Sequence, residues 1–273
     1  MYVSVAVMDT GIFRHMDFDT RIAGFADFVG RKKYLYDDNG HGTHVAGIIA
    51  GSGKGSNGKY RGIAPDTFLV SVKVLDKSGN GKIENVVEAA GWIIENKSAM
   101  NIRVVNISFG TRAKMENGPA IETGEDDYAL IMAVEKMWDS GIVVVAAAGN
   151  NGPGNTSVTA PGISKKIITV GAFDDKNFFS GRGPTRECIV KPEVVVTGSN
   201  IIACNNHQGR YSSKSGTSMA TPVVCGALAL ALQKNPKLRP EELKLKLYES
   251  VRKETGMSMA WGVLDVDNLL ALV

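Results

Sequence analysis

Little in this sequence suggests covalent or metal cross-linking. Three cysteines occur in 273 residues, at 188, 204 and 225. The number is odd, and the spacing is neither that of a disulfide framework nor that of a zinc ligand set. They read as free thiols of a reducing compartment, with Cys225, inside an apolar run, as a small core residue. Prolines number 9 and aromatics make up 7%, and no Pro-rich or low-complexity linker divides the chain. A surplus of one charge is also missing. Lys and Arg total 31 against 28 for Asp and Glu, which excludes a broad cationic face and makes a nucleic-acid partner unexpected. The longest apolar runs, Ile142–Ala148 and Val223–Leu232, are too short to span a bilayer, so no membrane partner is expected. The opening residues MYVSVAVMDTG carry no basic stretch and no small-residue cleavage site. No secretory signal is legible there, and a cytoplasmic location is the expectation.

What is present is apolar and glycine-rich: 44% hydrophobic residues and 31 glycines, enough for a sizeable core with many tight turns. Short apolar runs at Val3–Met8, Phe68–Leu75, Arg103–Ile107, Ile142–Ala147, Ile167–Val170 and Lys191–Val196 predict strands buried on both faces. Amphipathic or small-residue stretches at His44–Ala50, Ile83–Asn96, Asp126–Ser140, Thr221–Gln233 and Pro240–Arg252 predict helices, the last with proline at its first position. Alternation of this kind predicts one α/β domain over residues 1–273, a mainly parallel sheet with helices on both faces. The segment Gly51–Gly62 (GSGKGSNGKYRG) reads as the most flexible loop, and Thr111–Asp127 as a second, polar one.

Three residues could carry chemistry. Asp9 ends the first predicted strand, and functional groups of parallel sheets gather at carboxyl ends of strands. Taken alone, an Asp after a strand is more often a turn former or helix cap. His41 precedes a helix with Gly40, Gly42 and Gly47 around it. His44, three residues on, would share its face, but no further ligand stands at metal spacing, and His44 reads as a core residue. Ser218 follows a Gly-Thr turn, and Pro222 sets a helix start near it. Unpaired amides and the positive end of the helix dipole would then lie beside the hydroxyl. An ordinary Ser N-cap would look the same locally. The order Asp, His, Ser is one of the known chain orders of the catalytic triad.

On these residues the sequence resembles the subtilisin-like serine proteases, the subtilase family. The likeness is carried by VAVMDTG around Asp9, HGTHVAGIIAG from His41 and GTSMATP around Ser218. AAAGNNG at 146–152 resembles the family's oxyanion segment, and NISFG at 106–110 and the turn at 78–81 resemble its two cleft edges. RGIAP at 61–65, ITVGA at 168–172, GRGP at 181–184 and WGVLDV at 261–266 extend it over nearly the whole chain. YDDNGHGTH and APGISKKIITVGA are nearest to the bacterial intracellular type. The chain departs from the family in beginning almost on the Asp strand. It also carries Val196-Thr197-Gly198 where the family has Ala-Pro-Gly, and Ser180-Gly181-Arg182-Gly183-Pro184 in place of Ser-Ser-x-Gly-Pro.

The resemblance implies a serine endopeptidase acting on polypeptides, with Asp9, His41 and Ser218 as triad and Asn150 as oxyanion donor. It places substrate between Ser108, Phe109 and Gly110 on one side and Gly79 and Gly81 on the other. Ala147, Ala148, Gly149 and Asn151 would wall the pocket for the residue before the cleaved bond. No cofactor is implied for the chemistry. Asp17 stands at a calcium-ligand position, with carbonyls of the 51–62 loop as helpers. A monomer and broad specificity are expected. Rival readings fare worse. An α/β-hydrolase needs G-x-S-x-G and the order Ser, Asp, His. The P-loop-like Gly53–Lys59 has Tyr60 where Ser or Thr is required. A pseudoprotease would be marked by loss of a triad residue, and all three are in place.

Overall fold

Strands without polar alternation have to be covered on both faces, and those of this chain are. The computed structural model describes residues 2–111, 124–177, 179–253 and 260–273. In chain order they form β1 (Ser4–Asp9), β2 (Ile22–Asp27), α1 (His41–Ala50), β3 (Phe68–Lys73), α2 (Ile83–Asn96), β4 (Ile102–Ile107), α3 (Glu125–Asp139) and β5 (Val143–Ala147). There follow β6 (Ile168–Ala172), β7 (Val194–Val196), β8 (Ile201–Cys204), β9 (Tyr211–Lys214), α4 (Thr217–Lys234), α5 (Pro240–Ser250), β10 (Gly262–Val263) and α6 (Val266–Ala271).

Eight strands make one parallel sheet in the order β10-β7-β6-β5-β4-β1-β3-β2, and β8 and β9 form a separate antiparallel hairpin. Every residue of β1 and β5 is buried. Helices α1 and α4 pack on each other and on the sheet, as do α2 and α3. With both faces of β1 closed, the sheet is the middle of three layers. This is the predicted α/β class, in a single domain.

The elements follow from their residues. In α2 the buried Val86, Ala89, Ala90 and Ile93 fall at i, i+3, i+4 and i+7, one helical stripe. Helix α4 runs through the core, with Met219, Ala220, Val224, Cys225, Ala227, Leu228, Ala231 and Leu232 all buried. It begins at Thr217, ahead of the expected Thr221, and Pro222 is its sixth residue. Helix α1 begins at His41, three residues ahead of the expected His44. The edge strand β2 was not legible, because it pairs only with β3 and its sequence, IAGFAD, carries a glycine and only partial burial. Of the polar loop expected at Thr111–Asp127, α3 already takes the residues from Glu125, and 112–123 lie outside the described residues.

Topology then places the site. From β1 the chain builds β2 and β3 on one side and returns to build β4 through β7 on the other. The reversal lies between β1 and β4, and a parallel sheet opens a crevice at the carboxyl ends of such a pair. Asp9 is the last residue of β1 and Ser108 follows β4 directly.

Candidate active site

Asp9 is fully buried and accepts the Thr10 amide at 2.7 Å. Both its oxygens face the His41 imidazole, with Nδ1 at 2.8 and 2.9 Å. A carboxylate can only accept, so Nδ1 carries a proton, and in the neutral ring Nε2 keeps the lone pair. Burial pulls the His41 pKa down, but the charge and hydrogen bond of Asp9 more than reverse it, and the value lies above the ordinary 6.5.

Helix α1 can start this close to β1 because position 42 is glycine: a Cβ there would lie 2.1 Å from the Gly11 carbonyl oxygen. The preceding Gly40 has φ +96°, a left-handed conformation that glycine adopts freely. The first amides of α1 find partners outside the helix. Gly42 N–H donates to Thr10 Oγ1 (3.0 Å), and Thr43 N–H to Asp37 Oδ2 (3.0 Å). Asp37 also receives Thr10 Oγ1 (2.9 Å), Gly40 N–H (2.8 Å) and Thr43 Oγ1 (2.6 Å). Lys73, beside Asp9 in the β1–β3 register and 1% exposed, donates to the Thr10 and Leu75 carbonyls and to Asp38 (2.6, 2.9 and 2.7 Å). Asp37 and Lys73 thus fix the strand end that holds Asp9 to the helix start that holds His41. Sequence reasoning missed both. The aspartate pair before Asn39-Gly40 was the available signal, since a carboxylate just ahead of a helix start can cap it.

Ser218, half-buried, is the second residue of α4, and its amide is one of those with no acceptor inside the helix. Its hydroxyl donates to the Ser108 carbonyl at 2.8 Å, not to His41. Met8 pairs with Ile107 across β1 and β4, so Asp9 and Ser108 stand side by side at the sheet edge and Ser218 is held one strand from Asp9. Asn150, exposed after β5, accepts the Thr217 amide and hydroxyl on Oδ1 (3.0 and 3.1 Å). An accepting atom must be the carbonyl oxygen, so the Nδ2 donor faces the other way. A Cβ on Gly216, next to Ser218, would lie 3.4 Å from that Nδ2.

The expected cleft residues divide. Phe109 is half-buried, and Gly79, Gly81 and Gly110 are exposed. Gly110 backs onto Thr159, whose Oγ1 would lie 2.4 Å from a Cβ there. Ser108 is 3% exposed, its side chain turned inward. Ala147 and Ala148 are buried, at 3% and 0%. Ala148 spends its amide on Val170 and its carbonyl on Thr159 (2.9 and 3.2 Å). The surface offered on this side is therefore mostly that of Gly149, Asn150 and Asn151, with Ala147 and Ala148 packed behind it. His44 is a core residue, as read. It is fully buried, its Nε2 lies 3.1 and 3.0 Å from the Ile201 and Ser212 carbonyls, and burial brings its pKa down to about 4.

Asp17 does not fit calcium. Its oxygens already accept the Gly53 and Gly55 amides (3.0 and 2.8 Å), the Tyr211 hydroxyl (2.9 Å to each oxygen) and the Cys204 thiol (3.5 Å). Calcium requires oxygens on every side, yet this loop turns N–H groups toward Asp17, and the Gly53 carbonyl accepts Ser56 and Gly58 instead. The same bonds tether the 51–62 loop, read from sequence as the most flexible, at Gly53 and Gly55. His15, Asp17 and Cys204 bring their ligand atoms within 4.8 Å of one another. Even so, a softer metal finds no vacant donor: His15 Nδ1 accepts the Asp17 amide (3.2 Å), and burial pushes the thiol pKa up so that it keeps its proton.

A sequence profile of the subtilase family, Peptidase S8, matches residues 2–263. Among curated proteins, Serine protease AprX of Bacillus subtilis (strain 168) is 43% identical over 278 residues, covering 92% of this chain and 61% of its own length. Subtilisin DY of Bacillus licheniformis is 36% identical, covering 95% of this chain and 87% of its own. Among solved structures, a cold adapted subtilisin-like serine proteinase superposes with a TM-score of 0.76 at 32% identity, over 96% of this chain and 86% of its own. The chain thus spans under two thirds of AprX. No helix of the described residues is long and apolar enough to cross a membrane.

Proposed function

This chain belongs to the subtilase family, and from that premise we propose that it is a serine endopeptidase using Asp9, His41 and Ser218 as triad and Asn150 as oxyanion donor. The observation that carries the reading is the Asp9–His41 pair, which puts the proton of the neutral imidazole on Nδ1 and its lone pair on Nε2, at the sheet edge where Ser218 opens α4.

A serine hydroxyl is a weak nucleophile at neutral pH. Rotation about its Cα–Cβ bond takes the Ser218 proton from the Ser108 carbonyl to His41 Nε2, which removes it as Oγ attacks the scissile carbonyl and later delivers it to the leaving amine. Asp9 stabilises the imidazolium formed between these steps. The tetrahedral oxyanion then meets the Ser218 amide, at the positive end of α4, and the Asn150 Nδ2. A substrate laid as an extended strand along 108–110 and 79–81 would be held by main-chain hydrogen bonds, which read little sequence. No carboxylate lines 147–151, so the pocket favours apolar or unselective residues. Residues 1–273 would act as one monomeric peptidase domain on polypeptides. The exposed thiol of Cys188, free like Cys204 and Cys225, suits a reducing compartment.

Labelling with a fluorophosphonate tests the assignment. The parent should react at Ser218, and Ser218→Ala should keep its circular dichroism while losing both labelling and peptide cleavage. Cleavage by Ser218→Ala near the parent rate would put the nucleophile elsewhere.

A further inference from the structure

Pro222 creates a gap in the helix that carries the nucleophile. In an α-helix the amide of residue i donates to the carbonyl of residue i−4, and proline has no amide. Proline at 222 therefore strips the Ser218 carbonyl of its intrahelical partner, at the residue whose side chain must be aimed. Ser108 fills the gap: its hydroxyl donates to the Ser218 carbonyl at 3.0 Å. That hydroxyl is itself fixed, because it accepts Asn106 Nδ2 at 2.9 Å. Asn106 is in turn held by the Cys225 thiol, which donates to its Oδ1 at 3.4 Å. Asn106 and Cys225 are fully buried. The path runs from α4 to the end of β4 and back to the first turn of α4. Antiparallel to it, the Ser218 hydroxyl donates to the Ser108 carbonyl, so residues 108 and 218 are bonded twice.

We propose that Ser108 and Asn106 are positioning residues for the nucleophile: the Ser108 hydroxyl, oriented by Asn106, stands in for the helix hydrogen bond that Pro222 removes and so fixes the main chain that aims Ser218. The inference rests on Ser218 being the nucleophile. It gives the Ser108 side chain a task distinct from contact with substrate, in keeping with its burial. It also gives a function to the amide of Asn106, buried on β4 beside the apolar Val104, Val105 and Ile107. A displaced reacting group loses rate steeply, by up to about 10²-fold for 1 Å, whereas binding of substrate along the cleft edge is left nearly intact.

The test is a mutant cycle on the full chain: Ser108→Ala, Asn106→Ala, the two together, Pro222→Ala, and Ser108→Ala with Pro222→Ala. Fluorophosphonate labelling rate, kcat and KM are measured per folded molecule, with the folded fraction taken from near-ultraviolet circular dichroism. Ser108→Ala should lower kcat and labelling roughly 10-fold to 10²-fold, with KM within about twofold. Asn106→Ala should act in the same direction, and the double variant should be no worse than Ser108→Ala, because both remove one bond. Alanine at 222 restores an amide facing the Ser218 carbonyl, so there the Ser108→Ala loss should shrink to within about threefold. Equal losses from Ser108→Ala with and without Pro222 would overturn the proposal, as would labelling of Ser108→Ala within twofold of the parent. That second criterion decides the matter even where Pro222→Ala does not fold. Failure of the triad reading itself would look different, since Ser218→Ala would then retain labelling.

Discussion

Two buried carboxylates in this molecule each stand beside a histidine, and they do opposite things. Asp9 and Asp17 are both fully buried. At Asp9 both oxygens take the Nδ1 proton of His41. At Asp17 the oxygens are filled by two loop amides, a phenol and a thiol, and His15 receives the Asp17 amide on Nδ1. The two imidazoles are therefore opposite tautomers, with Nε2 of His15 donating to the Arg210 carbonyl (3.1 Å). The pKa shifts diverge for the same reason. Asp9 raises His41 despite burial. Burial lowers His15, with the Asp17 charge and the Arg210 carbonyl only partly offsetting it. A carboxylate that also hydrogen-bonds the imidazole outweighs the cost of burial; one whose lone pairs serve loop groups acts on its histidine through charge alone, and ties loops together.

The sharpest way to break this contrast is Asp9→Asn. It should leave the fold intact and lower kcat by about 10⁴-fold, because an amide can hold the wrong tautomer. Asp17→Asn, by contrast, should leave kcat per titrated active site within about twofold. A loss at Asp17 as large as at Asp9 would erase the distinction.

Asn150→Leu comes next. It should lower kcat by about 10²-fold to 10³-fold with little change in KM, the size of one oxyanion donor with subtilisin as the type case. A kcat within threefold of the parent, per titrated site, would reduce Asn150 to a turn former.

A smaller effect concerns stability. Asp17→Asn should cost about 2–3 kcal/mol by loosening hydrogen bonds to a charged group, a fall in Tm of roughly 5–10 °C. Addition of EDTA or calcium should leave the parent Tm unchanged within about 2 °C. A large calcium-dependent rise would mean that the loop amides give way to carbonyls.

The smallest effect is a shift on the pH axis. Neutral His41 is the competent base, so kcat/KM should rise with pH through a midpoint above 6.5, higher than an unperturbed histidine would give. Asp9→Asn should move that midpoint down. His15 should remain neutral where His41 is already protonated, which NMR titration of the ring protons would show. The signs for stability are opposite as well. His41, with its raised value, contributes stability below about pH 6.5 that is lost as pH rises through its folded pKa. His15, with its lowered value, costs stability as pH falls below 6.5.

The sequence by itself determined the central strands of the sheet and singled out the three residues proposed to react. Apolar runs such as Val143–Ala147 leave a strand no choice but burial on both faces, and the stripe of α2 is legible to the residue because local spacing sets which face is apolar. Asp9, His41 and Ser218 were readable because each sits in a short segment whose glycines and proline restrict the local backbone. What only the tertiary structure decided is which groups satisfy which. Asp37, Lys73, Asn106 and the Ser108 hydroxyl act on residues between 2 and 110 positions away, and apart from the capping position of Asp37 nothing in their local sequence names the partner. The misreading of Asp17 has the same origin. A carboxylate looks identical in sequence whether a cation or an amide will face it, and the choice was made by how the 51–62 backbone turns its peptide groups once folded.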